Sequence, residues 1–440
     1  MVIEGWLDRA ARLAPERVAI ETSEGSPTYA ALRGLARFGA AQLAERGVAP
    51  GERVAIALPP GLAFAQALHA CMTLGAIAVP VDLRLAAGEQ QRIAEGAALV
   101  IEEPLAQDGA SFPDPALHDL GATALIVHTS GTTSAPRPVE LTYANILWSA
   151  LGSAVALGSD PGERWLCALP LSHVGGLSIL LRSAIYGTTA VVHERFETER
   201  VLEALQGGGV TLVSLVATTL ARLLDAGLQA PSALRCALTG GGPVPAALVE
   251  RSHESGVPVS LTYGLTETCS QVTTTPIAEL GSSPASAGPP LFCTRVRLAE
   301  DGEIMVAGPT IAASAALAGG WLATGDLGRL DEAGRLSVTG RKADTIVSGG
   351  ENVAPAEVEA VLEAHPGVLE AAVLARPDAR WGEAVAAIVV ARPGAALDPD
   401  ELRSHCARGL ASFKVPKTFS IVSDQLPRTP SGKLLRREIS

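Results

Sequence analysis

The 440-residue sequence has few charged residues, no excess of basic residues and no dense set of cysteines. Only 18% of its residues are charged and 48% are hydrophobic, a composition typical of a folded protein with a large core. Acidic residues outnumber basic ones by 46 to 34, and the formal net charge of −12 repels nucleic acid and anionic membranes. We therefore expect no nucleic-acid partner, and any anionic ligand must be held by local donors.

Long apolar runs and paired cysteines are also missing. The six cysteines include no CxxC pair, which is typical of reduced thiols in the cytoplasm. No apolar stretch is long enough to cross a bilayer, and the first twenty residues lack the basic and apolar regions of a signal peptide. These absences predict a cytoplasmic protein without membrane insertion. They leave its oligomeric state open.

Short apolar runs alternate with amphipathic segments through most of the chain. They predict strands at residues 54–58, 76–81, 165–169, 189–192, 212–216, 235–238 and 257–261, and helices at 62–74, 177–186, 218–226 and from Pro245 onward. Repeated strand–helix–strand units are typical of mostly parallel sheets covered by helices on both faces. The predicted class is therefore α/β.

The pattern changes after Asp326. Residues 330–340 resemble a hairpin, and the remaining hundred residues contain their own predicted helices (356–364 and 398–410) and strands (368–374 and 384–390). That is enough chain for a small independent α+β domain. We place the boundary near Gly340, which gives a large domain at residues 1–340 and a small one at 341–440.

A loop rich in hydroxyl groups follows the apolar run at residues 124–127. It contains Thr129, Ser130, Gly131, Thr132 and Thr133. Backbone N–H groups and hydroxyls this close together can wrap phosphate oxygens, with Arg137 adding charge and Thr142 capping the next helix. The alternative is an ordinary polar surface turn. No GK[ST] follows, so this is not a Walker loop.

Two further stretches follow predicted strands, where α/β sheets bind ligands. In the stretch 263–267, Thr266 is followed by Glu267. The threonine could contact a phosphate while the carboxylate binds Mg²⁺, or the two residues could cap the start of a helix. The run Gly240, Gly241 and Gly242 leaves a flat backbone that could admit an adenine ring, or forms a tight turn.

The remaining polar motifs lie towards the C-terminus. Asp326 could bind a pair of ribose hydroxyls or cap its own turn. The run SGGEN ends at Asn352, and Lys433 stands in PRTPSGK, where proline and glycine indicate a fixed loop that presents an ammonium group. A lysine there could also be an ordinary solvated charge.

The order of the motifs closely resembles that of the acyl-adenylate-forming enzymes. The motifs are LHACMTLGAIAVPVDLRL, TSGTT, YGLTE, TGD, GR-x-x-D, SGGEN and P-x-x-x-x-GK. This family includes acyl- and aryl-CoA ligases, luciferases and carrier-loading adenylation domains, and the resemblance spans nearly the whole chain. It implies a large N-terminal domain of stacked, mostly parallel sheets and a small, mobile C-terminal domain. ATP and CoA are the implied co-substrates and Mg²⁺ the implied cofactor.

The resemblance also implies roles for the motif residues. Those expected to bind ATP are Thr129, Ser130, Gly131, Thr132, Thr133, Arg137, Gly240, Gly241, Gly242, Tyr263, Gly264, Asp326 and Arg341. Thr266 would contact the α-phosphate, Glu267 would hold Mg²⁺, and Lys433 would bridge the substrate carboxylate and the α-phosphate. The loop expected to border the CoA channel comprises Gly349, Gly350, Glu351 and Asn352.

The segments ALPLSHVGGLSILLR and YGLTETCSQVTT resemble the o-succinylbenzoate–CoA ligases of menaquinone synthesis. That substrate has a second, aromatic carboxylate, for which Arg182 is the candidate partner because arginine suits planar carboxylates. An arginine on a helix is as readily a solvent-exposed charge. His173 is the candidate for the wall of the acyl pocket and a catalytic role, or is an ordinary packed histidine.

Departures from the family pattern leave alternatives open. Ser134 replaces a usual glycine, Arg137 a usual lysine, Tyr143 a frequent histidine, Ser172 a frequent aromatic residue, and Ala343 a frequent lysine at the hinge. We expect an ATP-dependent ligase that makes o-succinylbenzoyl-CoA through an acyl-AMP. The alternatives are another acyl- or aryl-CoA ligase, a carrier-loading enzyme, or a non-catalytic regulator that binds nucleotide or acyl ligand.

Overall fold

The computed structural model describes residues 1–113, 116–129, 137–280, 286–378, 380–428 and 434–439. Its helices are α1 (Trp6–Leu13), α2 (Tyr29–Glu45), α3 (Leu62–Leu74), α4 (Ala87–Ala94), α5 (Tyr143–Leu157), α6 (Val174–Tyr186), α7 (Thr198–Gly207), α8 (Ala217–Asp225), α9 (Ala246–Glu254), α10 (Pro355–Glu363) and α11 (Pro399–Gly409).

The strands up to residue 239 have two to seven residues, and those after it have three to eleven. The first group is β1 (Val2–Glu4), β2 (Ile20–Glu21), β3 (Arg53–Ile56), β4 (Ile77–Pro80), β5 (Leu99–Ile101), β6 (Leu117–Asp119), β7 (Thr123–Thr129), β8 (Arg137–Thr142), β9 (Arg164–Cys167), β10 (Thr189–Val192), β11 (Leu212–Leu215) and β12 (Cys236–Thr239). The second group is β13 (Val259–Leu265), β14 (Ser270–Thr274), β15 (Arg295–Leu298), β16 (Glu303–Ala307), β17 (Trp321–Leu330), β18 (Leu336–Arg341), β19 (Ile346–Ser348), β20 (Glu351–Val353), β21 (Val368–Asp378), β22 (Gly382–Ala391) and β23 (Thr418–Val422).

Two largely parallel sheets form the large N-terminal part. One has the order β14-β13-β12-β11-β9-β10-β2 and the other β5-β3-β4-β7-β8, and in each only the edge pair, β13–β14 or β7–β8, is antiparallel. Apolar residues of both sheets share one buried cluster with α2, α3 and α6, so these helices lie between the sheets. Helices α7 to α9 cover the outer face of the first sheet, and α4 that of the second. The predicted α/β class, with parallel sheets covered on both faces, is confirmed.

Two sheets follow that are mainly antiparallel. Strands β15 to β18 pair in sequence order, and β17 and β18 form the hairpin predicted near residue 330. The last sheet has the order β20-β19-β22-β21 with β23 beside β22, and α10 and α11 pack on it around a separate apolar cluster. The predicted division near Gly340 falls between these two sheets and stays a prediction. Strands β15 and β16 were not predicted.

Candidate active site

Several predicted site residues lie at the carboxyl edge of the parallel strands β11 to β13. Strand β12 ends at Thr239, and the glycine run Gly240 to Gly242 follows it directly. A Cβ atom on Gly240 would lie 2.7 Å from the Thr262 carbonyl oxygen, and one on Gly264 would lie 1.6 Å from that of Ser270. Only glycine fits at these two positions, so the sequence fixes a flat backbone at the sheet edge where ligands bind in α/β folds.

Three residues that are far apart in the sequence meet beside this edge. The Tyr263 hydroxyl donates to Asp326 Oδ2 at 2.8 Å, and Arg341 Nε lies 2.8 Å from Asp326 Oδ1. Asp326 and Arg341 are brought together because they are partners in the β17–β18 register. Burial and the Asp326 carboxylate raise the pKa of Tyr263 far above its usual range, so the phenol remains a donor. The structure thus joins the residues predicted to hold the adenine and the ribose.

The predicted metal ligand lies on a short 3-10 turn, Thr266–Thr268, immediately after β13. The turn is fixed because Thr268 Oγ1 accepts from Leu265 N at 3.0 Å and the Glu267 carbonyl accepts from Ala312 N at 2.8 Å. The Glu267 side chain is half-buried and makes no ion pair with any residue that the structure describes. A carboxylate left available in this way suits Mg²⁺, which takes one or two protein carboxylates together with phosphate oxygens.

The described residues contain no group of three or more histidine, cysteine or acidic side chains able to cage a metal. A single carboxylate is consistent with a Mg²⁺ ion that arrives with the nucleotide rather than one held by the protein alone.

The predicted phosphate loop joins the antiparallel strands β7 and β8. Its first and last residues, Thr129 and Arg137, are partners in register, and Thr129 Oγ1 donates to the Arg137 carbonyl at 3.4 Å. The predicted residues Ser130, Gly131, Thr132 and Thr133, and the departure Ser134, lie outside the described residues. The predicted cap is confirmed, since Thr142 Oγ1 accepts from Asn145 N at 3.1 Å at the start of α5.

Arg182 is not a solvent-exposed charge. Its side chain is on α6, only 3% of the residue is exposed, and it lines a narrow cavity between α5, α6 and the 3-10 turn that carries Glu267. It donates to Ser149 Oγ at 3.1 Å and lies 5.6 Å from the ring of Trp165. No acidic side chain among the described residues pairs with it, and its Nε has no hydrogen-bond partner there. Burial lowers the pKa of Arg182, yet a guanidinium stays charged in proteins.

His173 occupies the N-cap position of the same helix α6, directly before Val174, which lines the cavity. Its Nε2 lies 3.6 Å from Asp82 Oδ2, and Arg84 donates to both oxygens of Asp82 at 2.8 and 2.6 Å. Burial acts to raise the pKa of Asp82, but the hydrogen bonds from Arg84 outweigh it and the pKa is lowered. Asp82 therefore stays ionised beside His173. Sequence reasoning assigned no role to Asp82 or Arg84, although VPVDLRL contains both.

The predicted CoA loop is the turn of the β19–β20 hairpin. Gly349 and Gly350 adopt φ of +62° and +86°, as two-residue hairpin turns require, and Gly349 N donates to the Trp381 carbonyl at 2.8 Å. Glu351 and Asn352 are exposed on the returning strand, in the C-terminal sheet rather than with the nucleotide residues. Lys433, the predicted catalytic lysine, lies outside the described residues.

Within the described ranges, no helix is long and apolar enough to span a bilayer.

Comparison with known proteins extends these observations over the whole chain. The AMP-binding enzyme family matches residues 7–108 and 93–314, and its C-terminal domain matches residues 357–433. The chain is 38% identical over 474 residues to 2-succinylbenzoate--CoA ligase of Bacillus subtilis, and this match covers 99% of the chain and 97% of that enzyme.

Solved structures of o-succinylbenzoate CoA synthetase from Bacillus subtilis are also similar. One, in complex with the acyl-adenylate intermediate, superposes with a TM-score of 0.92 at 38% identity and covers 100% of this chain and 98% of its own. A second, with ATP and magnesium ion, gives 0.90 at 37% identity with full coverage of both chains, 100% each. A double mutant bound with a product analogue gives 0.74 at 38% identity, covering 100% and 98%. The chain belongs to the AMP-binding enzyme family.

Proposed function

We propose that the chain is an ATP-dependent ligase that converts o-succinylbenzoate, ATP and CoA to o-succinylbenzoyl-CoA, AMP and pyrophosphate, a step of menaquinone biosynthesis. The reaction class is supported by the likeness to 2-succinylbenzoate--CoA ligase along 99% of the chain. The identity of the acid is supported by one observation, the buried Arg182 without an acidic partner among the described residues. An isolated buried cation is costly unless a ligand neutralises it, and the second carboxylate of o-succinylbenzoate would do so.

In the first half-reaction, an aliphatic carboxylate oxygen forms a bond to the α-phosphorus of ATP, and pyrophosphate leaves. Two anions must approach each other, so catalysis depends on donors placed where charge develops. Tyr263, Asp326 and Arg341 would fix the nucleoside, and the loop between Thr129 and Arg137 would hold the phosphates. Bound Mg²⁺, for which Glu267 is the fitting ligand, would supply positive charge at the phosphates.

The other groups would act on the acid. Lys433 would bridge its reacting carboxylate and the α-phosphate, while Arg182 would hold the aromatic carboxylate and so orient the substrate. His173, kept in place by Asp82, would form the wall near the reacting end. In the second half-reaction the CoA sulfur bonds to the acyl carbon, the thiol proton is lost and AMP leaves.

The test is an assay of ATP–pyrophosphate exchange followed by CoA-dependent AMP release over a panel of acids. We expect exchange with o-succinylbenzoate and much weaker exchange with 4-oxo-4-phenylbutanoate, which lacks the aromatic carboxylate. Benzoate and malonate serve as unrelated acids. Exchange without any acid dependence, or none at all, would refute a ligase, and a clear preference for a monocarboxylic acid would refute the substrate.

A further inference from the structure

The last described segment, Leu434 to Ile439, contains an arginine that joins three parts of the C-terminal domain. Arg436 makes a bidentate pair with Glu359 on α10, Nη1 donating to Oε1 and Nη2 to Oε2 at 2.8 Å. Nη1 also donates to the Val373 carbonyl on β21 at 2.9 Å, and Nε lies 3.4 Å from Asp344 Oδ2. Its side chain is 23% exposed and that of Glu359 12%, so solvent screens the pair only weakly.

The contact partner Asp344 belongs to the 3-10 turn Lys342–Asp344, which links the N-terminal part to the C-terminal domain. On the same turn, Lys342 Nζ lies 2.6 Å from Asp301 Oδ2, in the turn between β15 and β16, and 2.9 Å from Glu303 Oε2, at the start of β16. The turn is therefore held by two ion pairs on the side of the N-terminal part and by one on the side of the C-terminal segment. Lys342 ties it to the N-terminal part, and Asp344 ties it to the C-terminal segment through Arg436.

The segment held by Arg436 directly follows Lys433 in the sequence. On the other side of Lys433, Arg428 Nη2 donates to Glu370 Oε2 at 2.7 Å. Arg428 forms a bridge with Leu434, and Leu435 N donates to the Pro427 carbonyl at 2.8 Å. The described residues nearest to Lys433 on either side, Arg428 and Leu434, are thus paired, and Arg428 and Arg436 anchor the two sides to Glu370 and Glu359.

We infer that Arg436 is a positioning residue for adenylation, because it fixes the segment after Lys433 against α10 and against the hinge carboxylate Asp344. The inference rests on the proposed function. The whole chain superposes more closely on the relatives holding acyl-adenylate or ATP than on the double mutant holding the product analogue, with TM-scores of 0.92 and 0.90 against 0.74. Loss of Arg436 should impair the half-reaction that uses Lys433 and spare the one that does not.

Three variants and one control test this role. Arg436→Gln removes every contact, Arg436→Lys keeps the charge without the bidentate geometry, and Asp344→Asn weakens only the hinge contact. Lys414→Gln is the control, because Lys414 Nζ donates to both oxygens of Glu357 at 2.7 Å on the same helix α10, and within the described residues it pairs with neither Asp344 nor the segment Leu434 to Ile439. Each protein is assayed for o-succinylbenzoate-dependent ATP–pyrophosphate exchange, for CoA-dependent AMP release from supplied o-succinylbenzoyl-AMP, and for thermal unfolding.

We expect Arg436→Gln to lower kcat/KM of exchange by about 10- to 100-fold, the scale of a charged hydrogen bond, and to leave thioester formation within about threefold. The loss of kcat/KM of exchange should be smaller in Arg436→Lys and in Asp344→Asn than in Arg436→Gln. Lys414→Gln should keep the wild-type activity in both half-reactions. If Arg436→Gln does not fold, the same split in Asp344→Asn supports the inference.

Equal losses in both half-reactions for a folded Arg436 or Asp344 variant would overturn the inference, as would unchanged exchange. The failure of the proposed function looks different. In that case the wild-type protein itself would show no exchange dependent on the acid, before any variant is compared.

Discussion

Replacing Arg182 by leucine tests whether a buried cation recognises the substrate. In the free protein, Arg182 has a hydrogen bond to Ser149 and a ring contact with Trp165, but no acidic partner among the described residues. Exchanging an uncompensated buried charge for an apolar side chain is often neutral or stabilising. We therefore expect Arg182→Leu to unfold at the same temperature as the wild type or at a higher one.

The effect on catalysis should have the opposite sign. A hydrogen bond to a charged group contributes about 1.5–3 kcal/mol, so kcat/KM for o-succinylbenzoate should fall by roughly 10- to 150-fold. For 4-oxo-4-phenylbutanoate, which has no aromatic carboxylate, kcat/KM should barely change. The ratio of the two values isolates the contact with the second carboxylate from any general damage to the site.

The measurement is CoA-dependent AMP release with each acid, together with thermal unfolding of the free protein. A matched control is Arg222→Leu, because Arg222 is also a helical arginine near an aromatic ring, 5.0 Å from that of Phe196, and donates to Thr198 Oγ1 at 2.9 Å. The control should leave the ratio of the kcat/KM values for the two acids unchanged. If Arg182→Leu lowers kcat/KM equally for both acids, or for neither, Arg182 does not bind the aromatic carboxylate.

Three further predictions concern the half-reactions and the response to pH. Lys433→Ala should abolish acyl-AMP formation while largely sparing thioester formation from supplied acyl-AMP, and equal loss of both would contradict separate roles for the two half-reactions. Burial lowers the pKa of His69 to about 4, below that of an unfolded histidine. Below pH 6.5 the unfolded state therefore binds a proton that the folded state does not, and the free energy of unfolding falls as the pH is lowered towards 4. From pH 7.5 to 5, the free energy of unfolding measured in urea should therefore fall by roughly 2 kcal/mol less in His69→Leu than in the wild type. If the free energies of both proteins fall equally with pH, His69 does not contribute. Burial, reinforced by Glu359, raises the pKa of Glu363 to about 7, so its ionisation destabilises the folded state increasingly from pH 4.5 to 7 and fully above. Glu363→Gln should accordingly raise the free energy of unfolding by about 3 kcal/mol at pH 8 and hardly at pH 4.5, and a gain independent of pH would refute that origin.

The regular part of the fold could be predicted because its pattern is local. Helix α3 and strand β10 begin and end where the apolar runs indicate, and α5 begins after its predicted cap. Strand β8 was missed because it contains Pro138, which is tolerated there only because β8 is the edge of its sheet. Strand β15 is also an edge, and its four residues, which include only two apolar ones, Val296 and Leu298, are too few to show a clear alternation.

The site was predicted by resemblance more than by pattern. Tyr263, Asp326 and Arg341 meet only because β17 and β18 pair and bring two of them beside the end of β13. No local periodicity predicts such a meeting. Asp82 and Arg84, which contact His173 and lie far before it in the sequence, Arg84 by 89 residues, were missed for the same reason.

Two arginines show what the structure adds to the sequence. Arg182 and Arg436 are both largely buried, and the sequence around them does not show which of the two has an acidic partner. Arg436 has two carboxylate partners, Asp344 and Glu359, so its charge is compensated within the described chain and it can position a segment before any ligand binds. Arg182 has no such partner there, so no carboxylate of the described chain compensates the desolvation of its charge. Burial alone does not separate a structural cation from a binding one. The presence or absence of an acidic neighbour does, and on that ground we propose a positioning role for Arg436 and a substrate-binding role for Arg182.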